Sequence, residues 1–282
     1  MFGTSFEEAL PGLFNIRNRL AAAFPDATVH YAFTSKIIRR IWQQRAEDPD
    51  YFRHHPGIPP EILRIRDPLT VIDDLRKAGC GGIVVQPIYM IPGAEYSLLL
   101  AEIKALELPI SLLLGVGKPV LREKGNAEDF LTLARALAGD ANYAESQGAA
   151  LIYMGHGSRH GSSEEIYQGF AAAMNRLHPG VLTVVATVEG EPALDRIINQ
   201  LQDQGISKVV LKPLMVAAGS HIRLDMVGPR PRGWKIRLEE AGFSVAAVLE
   251  GLGEQNGFTE ILIRRAADAA ACAGIELHEQ KD

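Results

Sequence analysis

The sequence is short of the residues that define several protein classes. Its 282 residues hold two cysteines, Cys80 and Cys272, far apart and outside any CxxC. That excludes a disulfide framework and a zinc-thiolate site, and it leads us to expect a reducing, cytoplasmic compartment. No apolar run approaches the roughly 18–20 residues that cross a bilayer, so no membrane span is expected. Positive charge is scarce: 29 Lys and Arg against 34 Asp and Glu leave a formal charge of −5. Nucleic-acid-binding chains usually carry a basic footprint, so no nucleic-acid partner is expected. A locally basic pocket for a small anion is compatible with the acidic whole. The first residues, MFGTSFEEAL, lack the basic-then-apolar order of a secretion signal. The GHG at 155–157 has no third glycine and no acidic ribose partner, so no nucleotide is expected.

What the sequence does contain is a rhythm. Apolar, β-branched runs recur at TVHYAF (28–33), GIVVQ (82–86), ISLLLGV (110–116), AALIYM (149–154), VLTVVA (181–186), SKVVLK (207–212) and SVAAVL (244–249). Amphipathic stretches such as EEIYQGFAAAMNRL separate most of them. Short continuous apolar runs alternating with helical patterns predict βαβ units and parallel sheets covered on both faces, the α/β class. The chain also repeats itself. With AGCGGIVVQPIYMIPGAEY (78–96) set over QGISKVVLKPLMVAAGSHI (204–222), Gly79 falls on Gly205, Pro87 on Pro213, Gly93 on Gly219 and Glu95 on His221. Earlier, Pro25 falls on Pro179, Ala32 on Ala186 and Ser35 on Glu189, and FGTS (2–5) lies over GHGS (155–158). The set predicts two similar α/β domains, 1–140 and 148–282, facing each other across a cleft. The change of offset between the matches locates an insertion at 47–68, expected as a surface excursion or lid. Because AALIYM precedes GHGS and nothing precedes FGTS, the first domain is expected to lack its first strand.

In open parallel sheets, ligands bind beyond the carboxyl ends of the strands. By that rule His156 (after AALIYM), Glu189 (after VLTVVA) and His221 (in the loop after SKVVLK) share one sheet edge. Two imidazoles and a carboxylate suit a divalent transition metal with positions left open for a substrate. Each residue also has a plainer reading: His156 as a structural hydrogen-bonder, Glu189 beside a helix N-terminus, His221 paired with Asp225. His160 lies among turn residues without such companions. The RHG at 159–161 is similar to the histidine phosphatase tripeptide, but GHGS already occupies the strand end.

FGTS (2–5), AFTSKIIRR (32–40), VVQPIYMIPGAEY (84–96), MGHGS (154–158), TVEGEP (187–192) and PLMVAAGSHIRLDM (213–226) together resemble the class II tetrapyrrole chelatases, specifically the anaerobic cobalt chelatase (sirohydrochlorin cobaltochelatase) family. The resemblance implies two pseudo-symmetric α/β domains with the active site in the cleft. It also implies ATP-independent insertion of Co2+, or Fe2+, into sirohydrochlorin. It maps the metal-binding residues onto His156, His221 and Glu189, with Glu95 on the opposite wall. Two imidazoles are borderline ligands and usable bases near neutral pH. The carboxylates of such a tetrapyrrole call for donors, for which the sequence offers Gly3, Thr4 and Ser5 with their backbone N–H groups, and Arg159, Lys212 and Arg223. His54 and His55 sit in the insertion. The chain departs from the family in that longer insertion, in the missing apolar strand before FGTS, and in the basic VGPRPRGW (227–234). The competing reading is a tetrapyrrole or metal carrier on the same scaffold; a homo-oligomer is left open.

Overall fold

The computed structural model of the chain describes residues 1–122, 127–158, 163–229 and 233–278. Its C-terminal half is a four-stranded parallel sheet of β3 (Ala150–Gly157), β4 (Thr183–Glu189), β5 (Lys208–Pro213) and β6 (Ser244–Ala247), with β1 and β2 belonging to the other half. The spatial order is β4-β3-β5-β6. The first strand in sequence is therefore internal, and the second and third flank it on opposite sides. Helices Ser163–Leu177, Leu194–Asp203 and Trp234–Glu240 make the crossovers.

The apolar run of β3 is buried on both faces, as a central parallel strand requires. Leu151 and Tyr153 point into one core with Phe170 and Phe258. Ala150, Ile152 and Met154 point into the other with Ile197, Leu201 and Leu238. This is the two-residue side-chain period of a strand, read directly in the packing. The expected strand ended at Met154, but pairing continues through Gly155↔Thr187 and Gly157↔Glu189. His156 thus lies inside β3, as its one exposed residue.

In the N-terminal half, β1 (Gly82–Val85) and β2 (Leu113–Val116) pair in parallel. In the internal repeat β1 falls on β5, whose partner β6 lies on the same side. The expected strand over 28–33 is not formed. Tyr31 is buried with its hydroxyl donating to the Leu13 carbonyl, and the backbone bonds begin at the far end of the segment, where the Met1 ammonium donates to the Ala32 carbonyl, Phe33 N–H to the Arg66 carbonyl and, just beyond, Thr34 N–H to the Met1 carbonyl. A strand is defined by its neighbours, and among the described residues none runs beside 28–31.

The C-terminal helix Asn256–Cys272 packs on the N-terminal strands. The absent side chain of Gly115 admits it: a Cβ there would stand 2.5 Å from the Ala269 carbonyl oxygen.

The insertion at 47–68 is not a lid. Its helices Pro49–His54 and Pro60–Leu63 fold back on the body. Ile58, Ile62, Leu63 and Ile65 are buried against Phe33 and Trp42. These four residues share a core with Leu10, Leu13 and Tyr31 as well, and none of the four is among the cavity-lining residues. His55 is held by Glu7 at 2.7 Å and stacks on Tyr51, while His54 Nδ1 faces the Asp50 carbonyl at 2.8 Å.

Candidate functional site

A cavity of about 510 Å³ lies between the two halves, a volume in the usual range for small-molecule sites. The C-terminal half supplies His156, Gly157, Ser158, Tyr167, Glu189 and residues 214–217. The facing wall carries Gly3, Tyr89, Met90, Glu95 and Tyr96 among others.

The end of β3 is shaped by glycine. Gly157 has φ +78°, a conformation that costs other L-residues energy. A Cβ there would stand 1.9 Å from the Glu189 carbonyl oxygen. Beside it, Gly190 has φ +80°, and a Cβ on it would meet the Ser158 carbonyl at 2.5 Å. Protein fills the space beside the glycines that flank His156: the Glu189 carbonyl beside Gly157 and the Tyr167 ring beside Gly155.

His156 and His221 come together, their ring centroids 4.9 Å apart and their planes at 87°. His156 Nδ1 lies 3.2 Å from the Gly157 carbonyl oxygen, and His221 Nδ1 lies 2.8 Å from Asp225 Oδ2. Acceptors at both Nδ1 positions favour the tautomer with a lone pair on Nε2, the arrangement in which second-sphere acceptors orient metal-ligating imidazoles. The pairing of His221 with Asp225 was the plainer reading of that residue, and it is compatible with ligation through Nε2.

Glu189 ends β4 and lines the same cavity. Among the described residues, however, no three His, Cys, Asp or Glu side chains close into a metal-ligating cluster. The strand order explains this. β4 and β5 flank β3 on opposite sides, each about 4.8 Å away, so Glu189 and the His221 loop approach His156 from opposite directions. Glu95 stands in the first turn of helix Ala94–Lys104 on the facing wall.

The expected carboxylate donors fare unevenly. Gly3 lines the cavity with φ +103°. Thr4 is buried, its hydroxyl accepting from Phe6 N–H at 3.1 Å. The Ser5 carbonyl accepts from Arg45 at 2.7 Å. Lys212 is a correction. It is 5% exposed, and its ammonium donates to Asp140 at 2.6 Å and to Glu250 at 3.0 Å. Lys212 pairs with Tyr153 across β3 and β5, and the Tyr153 hydroxyl donates to the same Asp140. Lys212 thus serves a buried polar cluster away from the cleft. Arg223 approaches Glu8 at 3.9 Å and is not among the cavity-lining residues. Arg159, His160 and residues 230–232 of the basic loop lie outside the described residues. Among the described residues lining the cavity there is no Lys or Arg.

Sequence reasoning missed the phenols. Tyr89 and Tyr96 meet edge-on on the facing wall, 6.4 Å apart, and the Tyr89 hydroxyl shares a 3.0 Å hydrogen bond with Thr34. Burial raises both phenols above their ordinary value. Both lie in the PIYMIPGAEY stretch, so position in the repeat was the one available signal. Tyr167 had none, since EEIYQGF reads simply as an amphipathic helix.

Comparison with known proteins adds the following. The family described as Cobalt chelatase (CbiK) matches residues 1–271. The sirohydrochlorin cobaltochelatase CbiKC of Nitratidesulfovibrio vulgaris is 31% identical over 264 residues, 92% of this chain and 85% of that protein. The sirohydrochlorin cobaltochelatase of Salmonella typhimurium is 29% identical over 255 residues, covering 90% and 88%. Among solved structures, SirB from Bacillus subtilis with Fe3+ superposes with a TM-score of 0.62 at 13% identity, covering 97% of this chain and 94% of that one. A cobalt complex of the sirohydrochlorin chelatase SirB from Bacillus subtilis subspecies spizizenii gives 0.56 at 11% identity, covering 96% and 92%. At such identities these structures speak to the fold, which is that of chelatases. No helix among the described residues is long and apolar enough to cross a membrane.

Proposed function

The chain belongs to the cobalt chelatase family and is a chelatase, and from that premise we propose that it inserts Co(II) into sirohydrochlorin without a nucleotide. The observation that carries the reading is the imidazole pair, with rings 4.9 Å apart and an acceptor at each Nδ1, of which His156 lines the cavity of about 510 Å³. His156 and His221 hold the metal through Nε2. Glu189 is the third ligand or proton relay, and Glu95 guides metal or protons from the facing wall.

Insertion replaces protein ligands on the metal by four ring nitrogens and releases two protons from pyrrole N–H groups. A loosely held metal suits that exchange, and a set of two imidazoles and one carboxylate leaves coordination positions open for it. As the metal passes to the ring, each freed Nε2 becomes a base able to accept one of the released protons. Fe(II) fits the same donors, while for a given N/O site the general affinity order places Co(II) above it. The rings of Tyr89 and Tyr96 offer an aromatic surface on the facing wall for the macrocycle.

The experiment is multiple-turnover conversion of sirohydrochlorin by Co(II), followed by the visible spectral shift of the metallated ring. His156→Ala and His221→Ala are each expected to lower the rate by about 100-fold, within the range for loss of a positioned acid–base group. Full rate in both variants refutes the assignment. Stoichiometric binding without turnover identifies a carrier instead.

A further inference from the structure

We propose that Tyr167 is a positioning residue that orients the His156 imidazole toward the metal through the two glycines flanking it; the proposal rests on the function proposed above. Tyr167 lies on helix Ser163–Leu177, is 1% exposed, and its side chain forms part of the cavity wall. A Cβ on Gly155 would stand 3.0 Å from Tyr167 Cζ and 3.3 Å from its hydroxyl oxygen, so the phenol packs directly against the residue before His156. Its oxygen faces the backbone N–H of Gly157, the residue after. One side chain therefore touches both neighbours of the proposed ligand.

The contact matters because of how β3 ends. At φ +78° Gly157, the last residue of β3, has left the extended conformation, and its buried amide needs an acceptor. Tyr167 supplies it and so fixes the peptide joining His156 to Gly157. The next peptide carries the carbonyl that lies 3.2 Å from His156 Nδ1. The orientation of the imidazole is thus tied, through two adjacent peptides, to the phenol. Burial keeps that phenol protonated, its pKa pushed up to about 12, so it stays a neutral acceptor over the working pH range.

Tyr167→Phe keeps the ring against Gly155 and removes the acceptor. Loss of an outer-sphere orienting group typically weakens a metal site by about 10–100-fold. Two readouts test this: Co(II) titration of the protein alone, followed by visible absorption, and steady-state rates with each substrate varied in turn. The expected result is Co(II) binding weakened about 10-fold, at the lower end of that range, with the KM for sirohydrochlorin unchanged. A purely structural role would leave Co(II) affinity unaltered or weaken both substrates alike, and either outcome overturns the proposal. In the His156→Ala background, Tyr167→Phe is expected to cause no further loss of Co(II) affinity, since coupled residues are non-additive. The same loss there would show that Tyr167 acts elsewhere. Should Tyr167→Phe fail to fold, Gly155→Ala pushes the phenol off the strand and is expected to reproduce the split. The two readings fail separately: full activity in His156→Ala sinks the functional assignment, whereas an inactive His156→Ala beside a silent Tyr167→Phe sinks only this one.

Discussion

Alanine at Gly157 tests how closely β3 and β4 approach at the site, and Gly205→Ala is its control. Both glycines have positive φ, +78° and +69°, so alanine bears the same conformational cost at each, about 1–2 kcal/mol. Their surroundings differ. Nothing lies within 4 Å of a Cβ on Gly205, whereas a Cβ on Gly157 would stand 1.9 Å from the Glu189 carbonyl oxygen. Both atoms of that contact are anchored in backbone, so the strand ends must part, at the expense of a hydrogen bond or two worth about 1 kcal/mol each and about 1–3 kcal/mol of strain. The expected loss is therefore about 1–2 kcal/mol for Gly205→Ala and roughly 3–7 kcal/mol for Gly157→Ala. Equilibrium urea unfolding, compared at equal slope, reads the difference as a shift in midpoint. Chelatase activity supplies a second axis, since parting β3 from β4 moves His156 relative to Glu189: Gly205→Ala is expected to retain it and Gly157→Ala to lose it. Equal midpoint shifts in the two variants would refute the close-approach argument.

Asp140→Ala leaves the 5%-exposed Lys212 with only the half-exposed Glu250; a loss of about 3–5 kcal/mol in urea unfolding is expected, and a change under 1 kcal/mol would contradict the buried cluster. Asp129 gives a pH signature: burial alone would raise its carboxyl, but Arg122 and Arg265 hydrogen-bond to it and hold it below the ordinary value of an aspartate. A depressed folded-state pKa contributes stability that is present above about pH 4 and lost as pH falls through the folded value. The stability gap between wild type and Asp129→Asn should accordingly shrink between pH 5 and pH 2 on the urea scale, and a gap independent of pH would exclude the ion pairs as its source. Ile62→Ala, in the insertion and fully buried, is expected to cost about 2–5 kcal/mol while leaving the KM for sirohydrochlorin unchanged; a raised KM with intact stability would restore the lid reading.

The C-terminal sheet could be read from the sequence because its strands are continuous apolar runs, and only a strand covered on both faces tolerates them. His156 could be placed for the same reason: it is the first polar side chain after such a run, so it had to emerge at the sheet edge. His221 needed the repeat, which set PLMVAAGSH over PIYMIPGAE. Residues 28–33 carry the composition of a strand, but composition does not supply the neighbour that makes one. Lys212 failed for a reason of parity. A lysine near a strand end looks as though it reaches outward, yet Lys212 lies opposite Tyr153 and shares the face on which Asp140 is buried. The insertion misled because its His, Pro and charged residues obscured Ile58, Ile62, Leu63 and Ile65, which decide where it packs.

The repeat raises the question of why a pseudo-symmetric molecule would hold one metal and not two. Gly3 occupies the place in the first half that His156 holds in the second. At φ +103°, with the Phe33 ring 2.5 Å from where a Cβ would be, that position has no room for an imidazole. Glu95 occupies the place of His221, so the counterpart of the second ligand is a carboxylate at the start of a helix. The first half therefore presents a glycine, a glutamate and the phenols Tyr89 and Tyr96, where the second presents His156 and Glu189, with His221 beside His156. On the proposed reading this asymmetry divides the labour. One wall grips the metal and takes up the released protons, and the other, having no imidazole to compete for the metal, receives the ring. Two identical walls would hold a metal from both sides and resist the ligand exchange that insertion requires. The divergence of Gly3 from His156 is thus as much a part of the site as the histidines themselves.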